Sequence, residues 1–118
     1  MGNEELKIYH NSRCRISREA LQLIQQRGFN PDIIQYLNDP PSKEELKNIL
    51  AILNYKPIEL VRTNEEIWKR NFKNKTLNEN DIINAMIDYP KLIERPIIIN
   101  KNKAVVGRPP ENVLKILS

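Results

Sequence analysis

A chain of 118 residues with 40% hydrophobic and 29% charged side chains has material for one buried core and too little for two independent ones. Its net charge of +4 is spread along the whole sequence with little aromatic interleaving, which speaks against a nucleic-acid footprint, and no apolar run approaches the ~18 residues of a membrane span. The single cysteine, Cys14, excludes an internal disulfide; with an N-terminus, MGNEELKIYHNS, that lacks an apolar signal core, it predicts a reducing, cytoplasmic setting.

The first strand is predicted at residues 6–10 (LKIYH), where apolar and polar residues alternate ahead of a turn-like Asn-Ser. The spacing of Ile16, Ala20, Leu23 and Ile24 predicts a helix from Ser17 to about Arg27, terminated by Gly28. Pro31 leads into DIIQYL, a β-branched run that reads as a second strand, completing a βαβ unit. Ser42 and Glu45 have capping-box spacing for a helix with Leu46, Ile49, Leu50 and Leu53 on one face. Residues 55–63 form a connector that carries Arg62, and EEIWKR is a short helix with Trp68 turned inward. Asn78 caps a further helix whose apolar face is Ile82, Ile83 and Met86, ending before Pro90. IIIN and AVVG flank a polar NKNK turn, a hairpin signal, and ENVLKILS reads as a final helix packed through Val113, Leu114 and Leu117.

The predicted order is β-α-β, a helical insertion, then β-β-α. That is an α/β fold of the thioredoxin/glutaredoxin-like kind: a mixed sheet flanked by helices, with the insertion between the second and third strands. It predicts a single domain over residues 1–118, its core at about 5–38 and 91–118 and its insertion at about 41–90. Such an order speaks of fold and not of chemistry.

The chemistry-bearing segment is YHNSRCRISREAL. It holds the only cysteine and the only histidine, His10, with Arg13, Arg15 and Arg18 and no acid before Glu19. Cys14 follows a strand and precedes a helix, where unpaired N–H groups and the helix dipole favour an anion. Arginines nearby, and His10 if protonated, lower a thiol's pKa in the same direction. Ser17, three residues on, can cap the helix or hydrogen-bond the sulfur. The pattern C-x-x-S lacks the resolving thiol of C-x-x-C, so an oxidised product would have to pass to an external thiol. Two readings stand on pattern alone: a small buried hydrophobe or a nucleophile. One His and one Cys do not make a metal site, a lone histidine without G-x-S-x-G excludes a serine-hydrolase triad, and three glycines offer no Walker loop.

Along almost its full length the chain resembles the glutaredoxin-coupled arsenate reductases, the ArsC family. The resemblance rests on IYHNSRCRISREAL, IIQYLNDPPSKEEL, LVRTNEE, IERPIIIN and VVGRPPENVLKIL, in this order. It implies that Cys14 attacks arsenate, that His10 sits near the sulfur and favours its thiolate, and that Ser17 hydrogen-bonds it. It further implies that Arg62, Arg95 and Arg108 line the oxyanion site and that Pro96 is a cis-proline facing it. Glutathione enters as co-substrate and glutaredoxin as partner, with no bound cofactor, no metal, no nucleic acid and no membrane, in a monomer. The loop departs from the family's common form, which has proline two residues before the cysteine and a smaller residue just after it. Arg15 therefore either strengthens anion attraction or crowds the sulfur.

Two other functions share this fold. Spx-type transcriptional regulators bind RNA polymerase and typically carry a C-x-x-C redox switch, which Cys14 and Ser17 do not complete. A glutathione-dependent thiol reductase with another substrate is the second.

Overall fold

The computed structural model describes residues 6–117, whose contacts group into two compact units. One combines the chain up to Asp39 with the stretch from Arg95 onward; the other is Pro40–Glu94. Among the described residues no helix is long and apolar enough to cross a membrane.

The first unit is built on a four-stranded sheet of order β2-β1-β3-β4. Strand β1 (Leu6–Tyr9) pairs in parallel with β2 (Asp32–Ile34) and antiparallel with β3 (Ile97–Asn100), which in turn pairs antiparallel with β4 (Lys103–Val106). Helix α1 (Arg15–Gln26) makes the crossover from β1 to β2, as parallel neighbours require. The register sets Ile8 opposite Ile98 and Ile98 opposite Val105. Because side chains alternate across a strand, Leu6, Ile8, Ile98 and Val105 share one face. Ala20 and Ile24 of α1 and Val113, Ile116 and Leu117 from the C-terminal segment pack on it.

That C-terminal segment differs from the expected α-helix. Pro110–Ile116 is a 3-10 helix, its first residue preceded by Pro109. Val113, Ile116 and Leu117 are buried and Leu114 only partly so, which is the face a tighter coil of three residues per turn presents. Asn100 Nδ2 donates to the Ile116 carbonyl at 2.6 Å, tying the hairpin to the last turn. Strand β2 is also shorter than DIIQYL: Tyr36 is buried but lies beyond the ladder.

Gly107 shows how closely this unit is packed beside the arginine that follows it. Its N–H donates to the Pro96 carbonyl at 2.8 Å. A Cβ at 107 would stand 2.9 Å from Pro96 Cγ, 3.1 Å from Ile98 Cδ1 and 3.4 Å from Ala20 Cβ. Gly107→Ala is therefore expected to destabilise the fold by about 1–3 kcal/mol, read as a lowered urea midpoint at unchanged slope.

The second unit is helical. Helix α2 (Lys43–Leu53) starts with the expected Ser42–Glu45 capping box and buries Leu46, Ile49 and Leu50. Helix α3 (Glu66–Asn71) buries Trp68, whose ring stacks on Phe72 at 5.4 Å. Helix α4 (Glu79–Asp88) is capped reciprocally by Asn78 and Asp81, and Ile82, Ile83, Ala85 and Met86 face inward. Asn78→Ala, which removes the Oδ1 acceptor 2.8 Å from the Asp81 N–H, is expected to cost about 1 kcal/mol, again visible in the urea midpoint. The connector before Arg62 coils into a 3-10 turn, Pro57–Leu60, and Val61 forms an antiparallel bridge with Ile93.

Candidate active site

Helix α1 begins at Arg15, two residues ahead of the expected start, so Cys14 itself is the N-cap. No oxygen caps this end. The free N–H groups of the first turn face a half-buried sulfur instead. The loop ahead of it is closed by backbone: Cys14 N–H donates to the Asn11 carbonyl at 3.0 Å, and Arg18 N–H to the Cys14 carbonyl at 3.0 Å.

Opposing influences act on the thiol. Burial raises its pKa and is the largest single one. Against it stand the backbone N–H groups of Ser17 and Ile16 and the guanidinium of Arg95, which hydrogen-bonds Cys14 and adds its charge. Together they prevail and hold the thiol below its ordinary range. Arg108 closes the site from the end of β4, with Nη2 3.6 Å from Cys14 Sγ and Nε donating to the Arg95 carbonyl at 3.1 Å. Arg95 and Arg108 are thus coupled to each other as well as to the sulfur. Both precede a proline in cis linkage, Pro96 and Pro109. Pro96 is buried, and its carbonyl accepts the Gly107 N–H.

His10 and Ser17 are brought together. Both are buried, and His10 Nδ1 lies 2.7 Å from Ser17 Oγ. That hydroxyl also accepts the Asn11 N–H at 3.1 Å. The side chain of Ser17 is therefore engaged by His10 and the loop, and its backbone N–H serves the sulfur. The imidazole does not add positive charge: desolvation, and then repulsion by Arg18, lower its pKa below the ordinary value. It is neutral at pH 7 and locks Ser17 in place.

The linkage has a definite sign. A histidine whose folded pKa is depressed resists protonation in the native state, so its contribution is full above the unfolded value of about 6.5 and is lost as pH falls below it. The melting temperature is expected to fall between pH 7 and pH 5, and a His10→Gln variant to show a flatter profile, measured by circular dichroism across that range.

The arginines that dominate the local sequence point elsewhere. Arg15 lies on the exposed side of α1 and pairs with Glu19 at 3.8 Å, so it neither crowds nor contacts the sulfur. Arg13 is exposed, and its N–H is held by Asn11 Oδ1 at 3.0 Å. Arg18 Nη1 donates to the Ser12 carbonyl at 3.0 Å, bracing the loop. Arg62 belongs to the second unit, where its guanidinium lies between Glu65 and Glu94, each at 3.5 Å.

Three contributors escaped the sequence reading. Asn11 organises the loop through three bonds, Gly107 permits close approach to Pro96, and Asn112 grips the backbone on either side of Arg108. Asparagine and glycine where a turn precedes an element were the available signal.

Comparison with known proteins follows this geometry. The model of the ArsC family matches residues 9–116. The Escherichia coli protein YfgD, itself uncharacterised, is 43% identical over 116 residues, covering 97% of this chain and 98% of its own length. The arsenate reductase of Haemophilus influenzae is 42% identical over 112 residues, with 93% of this chain and 97% of the relative covered. Among solved structures, the arsenate reductase from Vibrio cholerae superimposes with a TM-score of 0.90 at 42% identity, across 95% of this chain and 97% of that one. A thiol at the start of α1, two arginines bearing on it and a family match spanning all three agree: the chain belongs to the ArsC family.

Proposed function

We propose that this chain is an arsenate reductase that draws its electrons from glutathione and glutaredoxin. The observation that carries the reading is the sulfur of Cys14 at the open end of α1 with the Arg108 guanidinium 3.6 Å away. Support for the substrate comes from the relatives described as arsenate reductases, which match nearly the full length.

Arsenate is a tetrahedral dianion that repels an approaching thiolate. Guanidinium groups offset that charge and hold two oxygens at once. Cys14 thiolate attacks the arsenic, a hydroxyl of the arsenate takes up a proton from solvent and leaves as water, and a sulfur–arsenic(V) bond forms. Glutathione thiolate then attacks the Cys14 sulfur; the bonding pair departs with arsenic, which becomes arsenite, and a mixed disulfide remains on Cys14. Glutaredoxin attacks this disulfide and restores the thiolate. The route needs no second thiol in the chain, and there is only one. In this reading Arg95 and Arg108 hold the oxyanion and its developing charge, Arg62 is the third arginine to do so, and the protein works as a monomer.

The test is arsenate-dependent NADPH oxidation in the presence of glutathione, glutaredoxin and glutathione reductase. Turnover above a no-enzyme blank is expected. A rate at the blank, with the thiol intact and reactive, sinks the reading; turnover of glutathionylated substrates alone would make the protein a thiol reductase.

A further inference from the structure

We propose that Asn112 is a positioning residue whose side-chain amide fixes the backbone around Arg108 so that the Arg108 guanidinium lies against the Cys14 sulfur. The inference rests on Cys14 being the reactive thiol and on Arg108 being the arginine that serves it.

Asn112 stands near the start of the C-terminal 3-10 helix. Its Nδ2 donates to the Arg108 carbonyl at 3.0 Å and to the Val106 carbonyl at 3.3 Å, using both hydrogens of one amide nitrogen. The Val106 carbonyl also receives the Arg108 N–H at 2.9 Å, and the Pro109 carbonyl receives the Asn112 N–H at 3.0 Å. The stretch from Val106 to Pro109 is therefore gripped by one residue at three carbonyls. Beyond Val106, the last residue of β4, it has left the strand ladder. Gly107 within it cannot be replaced without collision, so the chain is pressed against Pro96 on one side and held by Asn112 on the other. The Arg108 side chain leaves this clamp with Nε on the Arg95 carbonyl and Nη2 at the sulfur. A guanidinium that must meet a tetrahedral anion is sensitive to displacement: an error of about 1 Å can cost ~10²-fold in rate. Aspartate, serine or leucine at 112 would each lose one or both of these donors, so the requirement is for an amide.

The experiment titrates the thiolate absorbance of Cys14 in the full chain, without arsenate. Wild type is compared with Asn112→Ala, Asn112→Leu (similar in size, no donor), Asn112→Ser (one donor), Arg108→Gln and the double variant Arg108→Gln with Asn112→Leu. Loosening Arg108 is expected to raise the titration midpoint by roughly half a unit to one unit in the Ala and Leu variants, and by less in the Ser variant. The same Asn112→Leu change is expected to have no further effect once Arg108 is replaced by glutamine, the signature of action through one residue. Two outcomes overturn the proposal: an unmoved midpoint in folded Ala and Leu variants, or a shift of equal size with Arg108 intact and in the Arg108→Gln background. In the coupled assay the Leu variant is expected to lose about tenfold in kcat/KM. Because the titration uses no arsenate, a chain that titrates as expected but turns over no arsenate retains this inference and loses only the proposed substrate.

Discussion

Cys14→Ser is expected to abolish arsenate-dependent NADPH oxidation, a loss of at least ~10⁴-fold that leaves only the blank rate. The seryl hydroxyl keeps the size and the place at the α1 N-cap, and it caps a helix better than a thiol does. The fold therefore survives, and the loss belongs to chemistry. What disappears is a group whose ionisation the site favours. The N–H groups of Ser17 and Ile16 and the Arg95 guanidinium lower the pKa of the thiol, whereas a hydroxyl starts far above any thiol. Alkylation of wild type by iodoacetamide is expected to reach its plateau below the ordinary thiol pKa of ~8.5. The stability linkage is the same statement in another measurement. A thiol whose folded pKa is depressed contributes stability that is full above the unfolded value and lost as pH falls through the folded one. Urea midpoints of wild type relative to Cys14→Ser are thus expected to be most favourable at alkaline pH and to converge as pH falls.

Much of this arrangement is legible in the sequence because its causes are local. Capping boxes at Ser42 and Asn78 act within one turn, and the β1 and hairpin patterns follow from a period of two. The position of Cys14 between a strand and a helix follows from these. The helix start moved from Ser17 to Arg15 because propensity at a terminus is weak and the sulfur, not the serine oxygen, occupies the cap. The charge of His10 was not legible at all. Its neutrality follows from burial beside Ser17 and from Arg18, and burial is a property of the folded chain. The conspicuous arginines misdirect for the same reason: Arg13 and Arg15 are adjacent to the thiol in sequence but exposed on the turn and on α1. Arg95 and Arg108 reach it because β3 and β4 bring their flanking residues to the end of β1. Only the family likeness connected positions so far apart, and nothing in periodicity does. The 3-10 form of the last helix was likewise hidden, since its apolar residues fit either coil.

Removing one arginine from the sulfur separates its charge beside the thiol from the oxyanion-holding role proposed for it. Arg108→Gln deletes the charge 3.6 Å from Sγ and leaves the Arg95 carbonyl without its Nε donor. Arsenate turnover is expected to fall by ~10²–10³-fold, as for loss of one donor to a developing oxyanion, and the thiolate titration to move upward. Arg108→Lys is the more informative change. It restores a positive charge, so the titration is expected to return most of the way to the wild-type midpoint. It does not restore the planar fork that can hold the Arg95 carbonyl and two oxyanion oxygens together, so turnover is expected to remain depressed by at least tenfold. A lysine variant with both wild-type titration and wild-type turnover would show that charge alone is required there and would remove Arg108 from the oxyanion-holding set. Arg95→Gln is expected to be the more severe for the thiol, since Arg95 both hydrogen-bonds Cys14 and acts on it by charge. Because both guanidiniums act on the one Cys14 sulfur, the double substitution is expected to cost less than the product of the singles. Independent contributions would appear as a simple product in kcat/KM, and that result would mean that the two arginines act on separate parts of the reaction.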